Sequence, residues 1–306
     1  MSQVGPLVLE PVAKERIWGA ETLPACYPTP APGVRIGELW LTAEECVVSG
    51  GTIAGKTLAE IAAAAPDVLR AQQGFPLLLK VLLPREKLSV QVHPNDAEAR
   101  ALGQPRGKTE CWYVLDASPG AEVAVGLKSA LTRQEIAASI RDGSLEDKLR
   151  MIPVRAGDMV FVDAGTVHAI GPGMMVLETQ QYSDITYRLY DYGRPRELHV
   201  DQGLAVTRTE TRAGLSSPVA MEGFTRLVSC EYFAVDRFDL QAGEACVLGE
   251  ALSLQVLFAM EPGCSVSGGG VELALPAGKA VVLPAEGISY IARVSRSAAL
   301  VRVVAP

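Results

Sequence analysis

Cysteine and histidine are scarce in this chain of 306 residues. It has 6 Cys and 3 His, and no two cysteines form a C-x-x-C pair. Scattered thiols are typical of a reducing compartment and argue against a disulfide framework or a cysteine-based zinc site. We therefore expect a cytoplasmic protein with free thiols.

Long apolar runs are also missing. The first twenty residues carry Lys14, Glu15 and Arg16 and lack the apolar stretch of a signal peptide. Apolar runs such as residues 75–79 are too short to span a bilayer. The net charge of −7 disfavours nucleic acid and anionic membranes as partners. An anionic substrate would therefore need a locally basic pocket.

Glycine, proline and short apolar runs are abundant. With 29 Gly, 20 Pro and many valine- and leucine-rich runs, the sequence predicts a mainly β fold, a sandwich or closed barrel. A few helices break this pattern, at 58–73 with an interruption at Pro66, at 96–102 and at 131–150. The predicted strands are 77–83, 87–92, 111–115, 159–162, 175–179, 186–192, 232–240, 252–260 and 280–283.

An internal repeat divides the chain. AGDMVFVDAGTVH at 156–168 matches AGKAVVLPAEGIS at 277–289, and CWYVLDASPG from Cys111 matches LQVLFAMEPG from Leu254. The two offsets differ by about the length of the helical stretch at 131–150. We therefore predict two copies of one β-barrel: a metal-binding catalytic domain over 1–212 with a helical insertion near 131–150, and a degenerate barrel without metal over 219–306.

The first copy carries polar residues that the second lacks. Gln91 and His93 alternate in KLSVQVHP and so face one side of a strand. Glu110 begins the next strand, and His168 follows the AGD strand. In the second copy, Ser253 and Ser289 stand at the positions that match Glu110 and His168 of the first. Two imidazoles, a carboxylate and an amide that converge inside a barrel suit a divalent metal, zinc first, although a lone histidine is more often a hydrogen-bonded core residue.

Three of these segments resemble a known family. LSVQVHPND, GKTECWYVL and AGTVHAIG are similar to the metal-binding segments of type I mannose-6-phosphate isomerases of the cupin superfamily, in the short bacterial branch. Similarity runs along most of the chain and fades after about residue 210. The resemblance implies two cupin-type jelly-roll barrels and one Zn²⁺ per chain held by Gln91, His93, Glu110 and His168. It also implies interconversion of mannose 6-phosphate and fructose 6-phosphate through a metal-stabilised cis-enediol.

The same resemblance implies three further cavity residues. Arg188 is expected to pair with an anionic oxygen of the enediolate or the phosphate. Lys108 is a candidate for proton transfer or a phosphate contact, and Glu178 is a rival base or a positioning residue. Each also has a structural interpretation: a solvated turn charge for Lys108, a strand-end residue for Glu178, and a partner of a nearby aspartate for Arg188.

Two more cations are candidates for substrate binding. Lys80 lies inside the apolar run LLLKVLL, where an unpaired charge is costly to bury, so it is expected to face the cavity. Arg194 is a weaker candidate for a phosphate contact. The third histidine, His199, has charged neighbours in RELHVD and is interpreted as a surface or supporting residue.

Three rival functions stay open. An iron dioxygenase on the same barrel is disfavoured by Gln91 in place of a third histidine. A non-catalytic sugar-phosphate sensor is disfavoured by Glu110 and His168 beside Lys108 and Arg188. A nucleotide-sugar epimerase would act without a metal. The expected partner is a small-molecule sugar phosphate, with no nucleic acid and no membrane, and the chain is expected to be a monomer or a homodimer.

Overall fold

The computed structural model describes residues 4–50 and 53–306, which form four β-sheets and a few short helices. Each predicted strand is present, so the mainly β prediction is confirmed. Within the described ranges, no helix is long and apolar enough to cross a membrane. The helices are α1 (Leu58–Ala64), α2 (Asp96–Ala101), α3 (Arg133–Asp142), α4 (Leu145–Lys148) and α5 (Val200–Val206).

Two facing sheets form the first half. A seven-stranded sheet has the order β14-β10-β7-β12-β5-β3-β2, and a five-stranded sheet has the order β13-β6-β11-β8-β9. The bounds in the larger sheet are β2 (Val12–Ala20), β3 (Ile36–Trp40), β5 (Leu77–Leu82), β7 (Glu110–Ala117), β10 (Met159–Val162), β12 (Met174–Gln181) and β14 (Gly214–Leu215). Those in the smaller sheet are β6 (Val90–Val92), β8 (Glu122–Leu127), β9 (Leu149–Pro153), β11 (His168–Ile170) and β13 (Tyr187–Tyr190).

Two more facing sheets form the second half. An eight-stranded sheet has the order β15-β16-β17-β24-β19-β22-β1-β4, and a four-stranded sheet has the order β18-β23-β20-β21. The larger sheet contains β1 (Leu7–Leu9), β4 (Val48–Gly50), β15 (Val219–Met221), β16 (Phe224–Ser229), β17 (Ala234–Leu240), β19 (Leu254–Phe258), β22 (Ala280–Leu283) and β24 (Ala298–Ala305). The smaller sheet contains β18 (Ala245–Glu250), β20 (Cys264–Gly268), β21 (Val271–Leu275) and β23 (Ser289–Val294).

The two halves repeat one topology. The order β10-β7-β12-β5-β3-β2 in the first half corresponds to β22-β19-β24-β17-β16-β15 in the second. Helices α3 and α4 lie between the paired strands β8 and β9, whereas β20 and β21 are joined by residues 269–270 alone. The N-terminal strands β1 and β4 hydrogen-bond into the sheet of the second half. The domain boundaries drawn from sequence stay a prediction.

Strand register refines the repeat alignment. Val162 pairs with Glu110, and its counterpart Leu283 pairs with Gln255. The register therefore matches Glu110 with Gln255 rather than with Ser253, a shift of two residues. Such a shift keeps every side chain on the same face of the strand, so alternation of apolar residues could not detect it.

Apolar contacts join the layers. One cluster fills the space between the two sheets of the first half, and a larger one lies between the seven- and eight-stranded sheets. A third packs α3, α4 and α5 on the outer face of the five-stranded sheet. The cluster within the first half includes Trp112, Val114, Val123 and Val125. The cluster between the two large sheets includes Leu79, Val81, Val256 and Val303. The cluster beneath the helices includes Val92, Ile136, Ile140 and Val206.

Local capping explains where the predicted helices begin and end. Thr57, Asn95 and Thr132 each form a capping box with the glutamate three residues later. Helix α1 ends just before Pro66, and the predicted helix at 131–150 divides at Gly143, whose φ of 81° ends α3. The box at Asn95 anchors the chain two residues after His93, at the rim of the site described below.

Changing Asp236 to Ala is expected to lower the free energy of unfolding by about 3–5 kcal/mol. Asp236 is fully buried in the second half and accepts hydrogen bonds from Arg302 Nε and Nη2 at 3.1 and 2.7 Å. The substitution leaves a buried guanidinium without its counter-charge. Urea unfolding followed by fluorescence measures the effect, with Asp239→Ala as control on the same strand. The exposed Asp239 pairs with Arg237 and should cost less than about 1 kcal/mol; equal losses would contradict the prediction.

Candidate metal centre and cavity

Polar side chains converge between the two sheets of the first half. On β7, Glu110 and Trp112 point to the interior while Cys111 points to the interface with the second half. Glu178 on β12 pairs across the sheet with Lys80 on one side and Trp112 on the other. Alternation along each strand thus places polar side chains from neighbouring strands on one inner face.

Three buried residues bring ligand atoms together. One ligand atom each of His93, Glu110 and His168 lies within 4.8 Å of the others. His168 Nε2 is 3.3 Å from Glu110 Oε1, and His93 Nε2 is 3.7 Å from Glu110 Oε2. All three side chains are at most 1% exposed. Within the part of the chain that the structure describes, no other group of His, Cys, Asp or Glu forms such a cluster.

Both histidines direct an Nε2 lone pair toward the centre of this cluster, where Lys108 Nζ contacts that of His93 and the Gln91 amide contacts that of His168. His93 Nδ1 lies 2.8 Å from the carbonyl oxygen of Ile185, and His168 Nδ1 lies 2.9 Å from that of Thr166. A carbonyl only accepts, so each Nδ1 carries the proton and each Nε2 keeps its lone pair. Burial lowers the pKa of His93 well below 6.5 and that of His168 to about 4. The imidazoles are therefore neutral, as metal ligation requires.

Glu110 and Gln91 complete the donor set. Both oxygens of the buried Glu110 carboxylate lack a hydrogen-bond partner, a costly arrangement that a cation would relieve. Gln91 pairs with His168 across β6 and β11, and its amide nitrogen is 3.3 Å from His168 Nε2. Turning the amide by 180° brings its oxygen to that position. Two neutral imidazoles, one carboxylate and one amide fit a borderline divalent cation such as Zn²⁺.

Lys108 lies beside the cluster. Its Nζ is 2.8 Å from Glu110 Oε2, although the direction does not satisfy hydrogen-bond geometry, and 3.1 Å from His93 Nε2. Burial opposes its charge, but the carboxylates of Glu110 and Glu178 raise the pKa of Lys108 above its usual 10.5. Gly107 permits this placement, because a Cβ there would lie 2.4 Å from the carbonyl carbon of Asn95.

Lys80 and Glu178 form a second buried ion pair. Lys80 Nζ lies 3.4 Å from Glu178 Oε2 and 3.8 Å from Asp184 Oδ1, and 4.9 Å from the centre of the Trp40 ring. Burial raises the pKa of Glu178 above 4.5, with Lys108 opposing this shift and the Glu110 charge adding to it. Glu178 is thus a carboxylate tuned toward the range of a general base.

These groups line a cavity of about 320 Å³. Five cations and three carboxylates face it, so the cavity is locally basic in a chain of net charge −7. Sequence reasoning missed three of these residues, which no motif marks: Arg16 and Glu38 on the first strands, and Arg196 in the loop after β13. The charged lining residues are Arg16, Lys80, Lys108, Arg188 and Arg196, with Glu38, Glu178 and Asp184.

Arg188 and Arg194 differ in position. Arg188 lies opposite Gln91 on β13 and lines the cavity; its Nη1 donates to the Glu197 carbonyl at 2.7 Å, and its buried Nε has no partner within the described ranges. Arg194 is instead held by Asp191, with Nη2 2.6 Å from Oδ1, and is not among the lining residues. His199 Nδ1 accepts the backbone N–H of Arg188 at 3.3 Å.

Fold and site together define a cupin-like protein with two β-sandwich halves and a candidate metal centre in the first. Residues 7–133 match the family described as phosphomannose isomerase type I, catalytic domain. The chain is 40% identical over 252 residues to the mannose-6-phosphate isomerase ManA of Bacillus subtilis strain 168, covering 77% of this chain and 79% of that protein. It is 37% identical over 250 residues to the mannose-6-phosphate isomerase of Streptococcus mutans, covering 77% and 79%.

The chain therefore belongs to the type I mannose-6-phosphate isomerase family, and the resemblance found in the sequence is confirmed. A crystal structure of the mannose 6-phosphate isomerase from Bacillus subtilis superimposes with a TM-score of 0.86 at 32% identity. The match covers 98% of this chain and 99% of that one. The likeness thus extends through the second half, where sequence similarity had faded.

Proposed function

We propose that this chain is a cytoplasmic, zinc-dependent aldose–ketose isomerase that interconverts mannose 6-phosphate and fructose 6-phosphate. One observation carries the proposal: two neutral imidazoles and a buried carboxylate without a hydrogen bond converge beside a basic cavity that Gln91 and Lys108 line. The names of the relatives supply the substrate. The partner is a small sugar phosphate, and no nucleic acid, membrane or protein partner is proposed beyond a second copy of the chain.

One Zn²⁺ per chain would be held by Gln91, His93, Glu110 and His168. When bound, the cation supplies a Lewis acid that holds two neighbouring substrate oxygens cis and favours negative charge on them. The second half carries no comparable cluster within its described residues. We therefore assign residues 219–306 a structural role and the reaction to residues 1–212.

The residues around the metal-binding cluster have separate roles in proton transfer. The reaction opens the sugar ring and moves a proton between C2 and C1 through a cis-enediol. Glu178, whose pKa burial raises, is the proposed base for the carbon-bound proton. Lys108, whose pKa is raised by its carboxylate neighbours, stays protonated and donates to the oxygen that gains charge. Lys80 holds Glu178 in place at 3.4 Å.

Arg188 is the proposed contact to an anionic oxygen of the substrate. Its guanidinium lies on the cavity wall with a buried Nε that no described residue satisfies. A planar fork of donors suits bidentate binding of such oxygens. Trp18, Leu82 and Leu88 supply the apolar part of the cavity lining.

A coupled assay for conversion of fructose 6-phosphate, run with and without a chelator, tests this function. The wild-type enzyme should turn over, lose activity with chelator and regain it with Zn²⁺. Arg188→Ala should lower kcat/KM by about 10- to 100-fold at unchanged zinc content, because a charge-assisted contact is worth about 1.5–3 kcal/mol. Binding of fructose 6-phosphate without turnover would instead favour a sensor, and oxygen consumption a dioxygenase.

A further inference from the structure

We propose that Arg16 and Arg196 form the site that binds the phosphate group of the substrate, with Arg196 oriented by the buried Asp191 and Arg16 by the largely buried Glu38. This inference rests on the proposed function and adds two residues that sequence reasoning did not select. Both arginines line the cavity together with Arg188. Arg196 thereby takes the role that the sequence suggested for Arg194.

Depth within the cavity separates two ends of the substrate. The Lys80 and Lys108 side chains, next to the metal-binding cluster, are 3% and 4% exposed. The side chains of Arg16 and Arg196 are 32% and 25% exposed. A sugar phosphate whose C1 and C2 reach the cluster therefore extends its phosphorylated carbon toward the mouth, where the arginines lie.

Asp191 fixes the guanidinium of Arg196. Arg196 Nε donates to Asp191 Oδ2 at 2.7 Å, and Nη2 donates to Oδ1 at 2.6 Å. The Asp191 side chain is 2% exposed, so the acceptor is itself held rigidly. This bidentate pair uses one edge of the fork and leaves Nη1 of Arg196 without a partner among the described residues. A donor oriented in this way loses little conformational entropy when an anion binds.

Glu38 plays the same part for Arg16. Arg16 Nη2 donates to Glu38 Oε2 at 2.8 Å, and the same oxygen accepts Trp40 Nε1 at 2.6 Å. Arg16 Nη1 donates to the backbone oxygen of Glu15 at 3.0 Å. These contacts hold the side chain along the cavity wall and leave its Nε available.

The charges of Arg188 and Arg196 repel one another. Burial lowers the pKa of Arg188 from its usual value, and the charge of Arg196 lowers it further. Positive charges crowded in one cavity are stabilised by an anion of high charge that accepts several hydrogen bonds, and phosphate is such a group. A neutral sugar would leave this repulsion in place, so the lining selects for phosphorylated substrates.

The test measures KM and kcat for fructose 6-phosphate and the inhibition constant of inorganic phosphate in zinc-loaded variants. Arg16→Gln and Arg196→Gln should each raise KM and the inhibition constant about 10- to 100-fold, because each removes a charge-assisted contact. Asp191→Asn should raise KM with kcat nearly unchanged. The control is Arg35→Gln, since Arg35 is exposed, pairs with Glu21 and Glu86 and lies outside the cavity lining; it should change neither constant more than about 2-fold.

Two comparisons decide the inference. The inference is overturned if both constants are unchanged in Arg16→Gln and Arg196→Gln, or if Arg35→Gln changes them equally. It is also overturned if Arg194→Gln has a larger effect than Arg196→Gln. Arg196→Lys covers the case in which the glutamine variant does not fold, and should show a smaller increase in both constants. If the wild-type enzyme does not turn over, the proposed function fails, while calorimetry with inorganic phosphate on the same variants still tests the anion site.

Discussion

Changing Glu110 to Gln is expected to leave the purified protein without bound zinc and to lower turnover by at least about 10³-fold. The glutamine keeps the size of the side chain but removes the negative charge at the centre of the cluster. In the wild-type protein both carboxylate oxygens are buried without a hydrogen-bond partner. Lys108 Nζ lies 2.8 Å from Oε2 without hydrogen-bond geometry, and a divalent cation would satisfy both oxygens, so the charge and not the shape is decisive. Zinc per chain by atomic absorption and the coupled assay measure the two effects.

Stability gives an independent measurement of the same change. Zinc at 100 times its dissociation constant should stabilise the wild-type protein by about 2.7 kcal/mol, because it binds only the folded state. Glu110→Gln should show no shift of the unfolding midpoint with zinc. Glu122→Gln is the matched control, since Glu122 is an exposed carboxylate on β8 of the same half, and it should behave as wild type. Full zinc content in Glu110→Gln would contradict the assigned ligand set.

The residues of the candidate metal centre could be selected from the sequence because they lie on regular strands and next to marked turns. Gln91 and His93 alternate on one strand. Comparison of the two repeats shows that Glu110 and His168 are present in the first half and replaced in the second. The structure adds the contacts of the two Nδ1 atoms with the carbonyls of Ile185 and Thr166, which set the tautomer. The contact of His168 with Thr166 is local, whereas that of His93 with Ile185 joins segments distant in sequence.

The basic mouth of the cavity could not be predicted in the same way. Arg16 ends a run of three charged residues on β2, and Glu38 is the one charged residue of β3, so neither stands out in a local pattern. Arg194 and Arg196 are separated by one residue in a polar loop, and both bind Asp191. Only the path of that loop decides which of the two faces the cavity, and loop paths depend on long-range packing rather than on local pattern.

The placement of the N-terminal strands depends on similar long-range contacts. Strand β1 pairs with β22 near the other end of the chain, so it extends the sheet of the second half. Its sequence, three buried apolar residues, would fit the edge of either large sheet. The choice of partner was decided by which edge was open in the folded protein.

Changing Glu178 to Gln is expected to lower kcat by about 10²- to 10⁴-fold at unchanged zinc content, the usual effect of removing a general base. Glu178 is fully buried, lies between Lys80 and Trp112 in the sheet and does not belong to the metal-binding cluster. The amide keeps its size and can still accept from Lys80. Loss of activity with zinc retained would therefore report proton transfer rather than collapse of the site. Glu122→Gln again serves as control.

The pH profile distinguishes a base from a positioning residue. Burial raises the pKa of Glu178, so the active carboxylate is lost as pH falls through a value above its usual 4.5. In the wild-type enzyme, kcat/KM should therefore decline on the acid side at that pH while zinc is still bound, because burial keeps His168 neutral down to about pH 4. Glu178→Gln should lack this decline. An acid limb that persists unchanged in the variant would transfer the role of base to another group.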